Sequence, residues 1–334
     1  MATPLRDGVL ELLLEAKGAP TSGTVIAARF GVSRAAVWKS VEALRAEGYE
    51  IGSLPARGYL LRAGLEDASP AELAVRLATK RMGRYHRHFA EIGSTNREAV
   101  KWATEEAKEG ALVTASRQSA GRGRLGRKWL DRPGESLLMS LVLRPELELT
   151  KVNGITYVAA IALAETLSAW VDEELIEIKW PNDVLLRGRK VAGILLESHV
   201  EGGAAKFVVV GLGLNVGGDI TGFDKEIRQL ATTVEANVDE AAGAPTVLDT
   251  LTRFLERFEE LYDTFRSEGL AGLSGRWNHW FRMVGRRVTV RMGEKTLSGE
   301  VIGLDGDGAL ELRTEGGQCE KVLAGDVMLS TTKG

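Results

Sequence analysis

Cysteine is nearly missing from this 334-residue chain, where Cys319 stands alone. One thiol excludes an intramolecular disulfide framework and a metal centre built on cysteines, and it fits a reducing compartment. Histidine is scarce too, with four residues and none in the clusters described below. No residue is assigned to a metal. Neither sign of charge dominates: 43 Lys and Arg stand against 46 Asp and Glu, a net −3. Nothing in that balance suggests a protein that coats polyanions, and any nucleic-acid contact must come from a local patch. Long apolar runs are absent; the stretch Val152 to Ala164 ends at Glu165 and is too short to span a bilayer. Met1 to Asp7 place no apolar core behind a basic cluster, so no signal peptide is expected. The expectation is a soluble, cytoplasmic protein without a membrane partner and, at this length, with two or three domains.

What is present in concentrated form is glycine with arginine. Gly121-Arg122-Gly123-Arg124-Leu125-Gly126-Arg127 follows Gln118 and precedes Lys128-Trp129. Glycine permits close backbone approach, and arginine offers permanently charged forks to phosphate oxygens. The loop predicts an anionic, phosphorylated ligand. Gly121, Gly123 and Gly126 also satisfy a dinucleotide-binding spacing, but Trp129 to Gly134 does not open a helix. Three arginines suit a bare polyphosphate better, and that reading is rejected. A solvated basic loop is the plain alternative.

Three pieces follow from patterning, and the fold class expected is a multidomain α+β protein. In residues 1–63, Leu5, Val9, Leu12 and Leu13 recur at helical spacing up to Gly18. A second helix is predicted from Gly23 to Phe30. A third follows Ser33 as N-cap, with Ala36, Val37, Val41 and Leu44 inward and Gly48 as stop. Two strands around a turn-rich tip come next. This is the winged helix-turn-helix plan of a DNA-binding domain, with Arg34, Trp38, Lys39 and Arg45 outward and Arg57 on the wing. Eight basic against six acidic residues make a weak electrostatic pull, so a dimer on paired half-sites is the natural binder. A scaffold module is the alternative. Residues 64–281 start with a linker to Ala68 and a capping box, Ser69-Pro70-Ala71-Glu72. Helices at Asn153–Val171 and Thr246–Ser267, with strands joined by short turns, predict a largely antiparallel or mixed sheet. Residues 282–334 alternate with period two around Asp305-Gly306-Asp307-Gly308 and predict a small SH3-like β-barrel.

Further clusters accompany the arginine loop. Ser94-Thr95-Asn96 either cap a helix or hydrogen-bond a ligand. In Lys179-Trp180-Pro181-Asn182-Asp183 the proline breaks a ladder and leaves Asn182 and Asp183 at a strand end. Lys190 stands inside an apolar strand, facing either solvent or an anion. Gly211-Leu212-Gly213-Leu214-Asn215 lets a flat group lie on the backbone or marks a bulge. Taken in order with the loop and with Lys190-Val191-Ala192-Gly193-Ile194-Leu195, these motifs closely resemble the biotin–protein ligases. With the winged helix in front, essentially the whole chain resembles the bacterial bifunctional ligases that also repress the biotin operon.

The resemblance implies a catalytic domain related to class II aminoacyl-tRNA synthetases between the winged helix and the SH3-like unit. It implies biotin contacts from Ser94, Thr95, Asn96, Gln118, Gly121, Arg122, Lys190, Gly211 and Gly213. Arg122, Gly123 and Arg124 would close over biotin and adenylate, with Trp129 near the ligand and Asn215 near the nucleotide. Leu125 fills a slot often held by arginine, which puts retention of the intermediate in doubt. Two steps are implied: biotin's carboxylate attacks the α-phosphate of ATP, then an acceptor lysine attacks the mixed anhydride. Arg122, Arg124, Arg127 and Lys190 would neutralise the phosphates, with Mg²⁺ sharing them. The acceptor lysine has a free pKa of about 10.4, and Asp183 is the candidate to orient or deprotonate it. The implied partners are the biotin carboxyl carrier domain of acetyl-CoA carboxylase, operator DNA and a second copy of the chain when adenylate is bound. A DNA-binding regulator that only senses the ligand, and a lipoate-type adenylating ligase, remain as alternatives.

Overall fold

The computed structural model describes residues 5–16, 19–46, 49–55, 57–63, 70–202, 204–218, 220, 224–239 and 243–329. At the N-terminal end, α1 (Leu5–Glu15), α2 (Gly23–Phe30) and α3 (Arg34–Ala46) precede a hairpin of β1 (Glu50–Leu54) and β2 (Gly58–Ala63). Their spacing makes one core, with Val9, Leu13, Ile26, Val37, Val41 and Leu44 fully enclosed. Gly31 closes α2 at φ 64, and Ser33 starts α3 by accepting the Ala36 N–H at 3.2 Å. The predicted stops at Gly18 and Gly48, the linker 64–68 and Ser69 of the capping box lie outside the described residues. Helix α4 (Pro70–Arg76) joins two cores: Ala71 packs with the three helices, whereas Leu73 belongs to the central core.

The central unit runs through β3 (Tyr85–Phe89), α5 (Thr95–Thr104), β4 (Ala111–Ala115), β5 (Ser136–Leu143), α6 (Leu149–Val152), α7 (Gly154–Leu167), β6 (Ile176–Lys179), β7 (Asp183–Leu186), β8 (Arg189–Glu201), β9 (Ala204–Asn215), α8 (Lys225–Leu230), α9 (Val247–Glu268) and α10 (Ser274–Trp280). Its seven strands lie in the order β3-β4-β5-β9-β8-β7-β6. Only β3 and β4 are parallel, because α5 carries the chain between them. On one face α5 packs Ala99 and Ala103 with Val113, Val142 and Val209; α7 and α9 cover the other. Strand β5 is therefore buried at all of its positions. The helix predicted from Asn153 to Val171 is a single helix that stops earlier: α7 runs from Gly154 to Leu167, and a separate short α6 precedes Asn153. A Cβ at Gly154 would stand 2.6 Å from the Phe265 ring, so glycine lets α7 approach α9.

The tail forms a five-stranded antiparallel sheet, β13-β12-β11-β10-β14, from β10 (Arg287–Met292), β11 (Lys295–Leu304), β12 (Leu310–Arg313), β13 (Cys319–Val322) and β14 (Asp326–Leu329). Asp305 shapes the predicted turn by accepting the N–H groups of Asp307 and Ala309 at 3.0 and 2.8 Å. The sheet shares the central core and is keyed to it by Tyr157, whose hydroxyl donates to the Gly308 carbonyl at 2.5 Å and accepts from Trp180 Nε1 at 3.0 Å. Burial pushes the Tyr157 phenol up to about 12, so it stays a donor. Among the described residues no helix is long and apolar enough to cross a membrane.

Candidate active site

The floor of the site is set by strand register. Gly193 of β8 lies opposite Gly213 of β9, and Leu195 lies opposite Gly211. A Cβ on Gly211 would meet Asn96 Oδ1 at 2.0 Å, and one on Gly213 would meet the Trp129 indole at 2.4 Å. These glycines let side chains from other elements lie directly on the sheet. They line one cavity of about 170 Å³ with Ser94, Thr95, Gln118, Trp129 and the charged groups below.

Ser94 occupies the N-cap position of α5 without a side-chain capping bond, so the cluster is not there simply to start the helix. The amide and hydroxyl of Thr95 both donate to Gln118 Oε1, at 2.8 and 3.2 Å. Buried Ser140 reaches Thr95 Oγ1 at 2.8 Å and Asn96 Oδ1 at 2.5 Å. Asn96 Nδ2 donates to Glu197 at 2.8 Å. This network holds polar groups at one end of the cavity and immobilises Gln118 there.

The arginine loop is a narrow hairpin. Trp129 N–H donates to the Gly121 carbonyl at 3.1 Å, and Gly123 N–H to that of Arg127 at 2.7 Å. A Cβ on Gly121 would meet the Trp129 carbonyl at 2.6 Å. At the tip Leu125 and Gly126 take φ of 55 and 74, and Leu125 points to solvent.

Six cationic side chains line the cavity, Lys128 and Lys179 among them, and the other four are held as follows. Arg122 Nη1 donates to Glu197 at 2.8 Å, and Lys190 Nζ to Asp183 Oδ1 at 2.6 Å. Arg127 pairs with Asp326 of the C-terminal sheet. Arg124 is different: it donates to the neutral oxygens of Asn182 Oδ1 at 3.1 Å and Gly325 O at 3.4 Å. Burial lowers its pKa from the ordinary guanidinium value, with Asp326 and Asp183 opposing the shift. It stays charged, as guanidinium does in proteins. Asn215 lies off the cavity at the end of β9, where Nδ2 donates to the Thr232 carbonyl at 3.1 Å. Sequence reasoning did not find Ser140, Glu197 or Asp326. An acid inside the apolar run of β8 was the available signal for Glu197; Asp326 arrives only by tertiary packing.

On the N-terminal unit Arg34, Trp38, Lys39 and Arg57 are exposed. Arg45 was expected beside them and is turned away. It pairs with Glu42 at 2.6 Å and donates to the Ile51 carbonyl and Ser53 Oγ, tying α3 to β1.

Fold and pocket define a ligase-type unit between a helix-turn-helix and a strand-rich C-terminal unit. Residues 89–215 match the Biotin/lipoate A/B protein ligase family, 6–60 the HTH domain and 284–330 the Biotin protein ligase C terminal domain. The chain is 33% identical to the bifunctional ligase/repressor BirA of Bacillus subtilis, across 98% of this chain and all of that protein. With BirA of Escherichia coli it shares 32% identity over 91% of this chain and 92% of the other. With the biotin–[acetyl-CoA-carboxylase] ligase of Paracoccus denitrificans it shares 36% identity over 69% of this chain and 95% of the other. The biotin protein ligase of Aquifex aeolicus in complex with biotin and ATP superposes with a TM-score of 0.61 at 28% identity, covering 74% of this chain and 98% of that one. The chain belongs to the family of biotin–protein ligases that double as repressors.

Proposed function

We propose that the protein activates biotin with ATP as biotinyl-adenylate and transfers the biotinyl group to a lysine of the biotin carboxyl carrier domain of acetyl-CoA carboxylase. The observation that carries this reading is the convergence of Arg122, Arg124, Arg127 and Lys190 over a glycine floor with Gln118 and Thr95 at one end. Biotin's ring lies toward Ser94, Thr95, Asn96 and Gln118, and its carboxylate toward Arg122 and Lys190. In the first step the carboxylate oxygen bonds to the α-phosphorus and the bond to pyrophosphate breaks. Arg124 holds the developing phosphate charge, since its present partners are neutral. Mg²⁺ would come with the nucleotide's phosphates and share their charge with Arg122, Arg124, Arg127 and Lys190. Asn215, outside the cavity and bonded to the Thr232 carbonyl, is assigned to the nucleotide on the family resemblance alone.

In the second step the acceptor amine attacks the anhydride carbonyl and AMP leaves. Lys190, turned to the phosphate, frees Asp183 to orient the amine and accept its proton. The hairpin 121–129 keeps water from the anhydride. We divide the chain at 63/64 and 281/282, and assign to 1–63 binding of operator DNA, with adenylate-bound chains paired as a homodimer. Arg34, Trp38, Lys39 and Arg57 face the DNA, while Arg45 braces the wing. The test is pyrophosphate–ATP exchange with biotin, with lipoate as control. Exchange that requires biotin is the expected result; tight biotin binding without exchange would leave a ligand sensor, and exchange with lipoate would reassign the substrate.

A further inference from the structure

Glu197 has no assigned part in that chemistry, yet it touches two walls of the pocket at once. It lies opposite Val209, two residues beyond the Leu195–Gly211 pair and four beyond Gly193–Gly213. Strand alternation therefore puts its side chain on the same face as the glycine floor. One carboxylate oxygen takes Arg122 Nη1 at 2.8 Å; the other takes Asn96 Nδ2, also at 2.8 Å. Asn96 is itself held by Ser140 and seated on Gly211. The carboxylate thus joins the hairpin that covers the pocket to a rigid residue on its floor.

The hairpin needs such a tie. Its tip, Arg124–Gly126, has a half-buried Arg124 and an exposed Leu125, and apolar packing therefore does not order it. Arg124 and Arg127 hold it on the side of Asn182 and the C-terminal sheet. Arg122 holds it on the side of Asn96. We infer that Glu197 is a positioning residue that anchors the arginine hairpin to the pocket floor and so sets how long the acyl-adenylate stays enclosed. The retention part rests on the ligase reading above; the anchoring part does not.

The experiment compares wild type with Glu197→Gln, which keeps the size and removes the charge. In the ligand-free proteins the readout is tryptic cleavage within 122–128. With biotin and ATP it is the lifetime of the enclosed adenylate after a single turnover. Severalfold faster cleavage and about tenfold faster release are expected, the loss of one charge-assisted hydrogen bond, with adenylate formation changed far less. The pair is partly exposed, so thermal stability should stay close to wild type. Arg122→Gln combined with Glu197→Gln should release adenylate no faster than Arg122→Gln alone. Unchanged cleavage and lifetime, or additive effects in the double variant, overturn the inference. Should Glu197→Gln not fold, Glu197→Asp, too short to reach both partners, is read in the same way. A wild-type protein that forms no adenylate removes the ligase reading, while the ligand-free cleavage still decides whether Glu197 anchors the hairpin.

Discussion

Trp129 and Gly213 share one place on the pocket floor: a Cβ built on Gly213 would lie 2.4 Å from the indole. Gly213→Ala must push the indole away, at a cost of about 1–3 kcal/mol for overpacking. Biotin affinity by calorimetry is expected to fall about tenfold or more. An unaltered affinity together with unaltered tryptophan emission would show that the indole is not held there.

Arg124 differs from its two neighbours in the loop because neutral oxygens, not carboxylates, hold it. Arg124→Ala is expected to slow adenylate formation by about 10²–10³, the effect of removing one preorganised donor. Arg124→Lys should recover only part of the rate, since an ammonium meets a phosphate as a point charge and not with the planar two-pronged grip of a guanidinium. Rapid-quench measurement of adenylate decides it, and full recovery by lysine would contradict the geometric argument.

Asp183 bears on transfer more than on activation. With Asp183→Asn, biotin-dependent pyrophosphate exchange should persist while biotinylation of the carrier domain drops by about 10²–10⁴. Equal losses in both assays would assign Asp183 to positioning Lys190 alone.

His86 links stability to pH. Its Nε2 meets Thr114 Oγ1 at 2.7 Å. Burial, with His88 nearby, pulls its pKa down to about 3 from the usual 6.5. An unfolded histidine takes its proton near 6.5 and the folded one not until about 3, so between these values the unfolded chain binds more protons. Stability should therefore decline as pH falls through that window. His86→Gln should flatten the decline, which thermal melts across the window will register. A wild-type melting temperature that does not move with pH there would exclude the linkage.

On the N-terminal unit, Arg34→Ala and Lys39→Ala should each weaken binding on all sequences and reduce the slope of log affinity against log salt by about one. Arg45→Ala should instead lower the thermal stability of the unit, because its partners are Glu42, Ile51 and Ser53. A salt slope changed by Arg45→Ala at constant stability would return Arg45 to the DNA face.

Elements with a strong period were legible. Val9, Leu13, Val37 and Val41 lie inside as their spacing predicts, and Thr246 begins α9 by accepting the Asp249 N–H at 3.0 Å. Strand β3 was not foreseen, because Tyr-His-Arg-His-Phe shows neither an apolar run nor a clean alternation, and its partners come from β4. The arginine loop, Lys190 and the paired glycines singled out in the sequence line one pocket, whereas Arg45 is turned from the face expected of it. A helical face predicts which way a side chain leaves the backbone, but not which carbonyl waits at its end.

The sequence by itself carried the expectation of an anionic ligand, from glycines that admit close approach and arginines that cannot lose their charge. It also determined the order of units, since hydrophobic period and turn residues act over a few positions. Only the tertiary structure decided which acid each cation meets. Register across β8 and β9 puts Glu197 beside the glycine floor, and packing of the C-terminal sheet brings Asp326 to Arg127 across 199 positions of chain. Such pairings depend on the cooperative closure of the whole core, and no local preference along the chain encodes them.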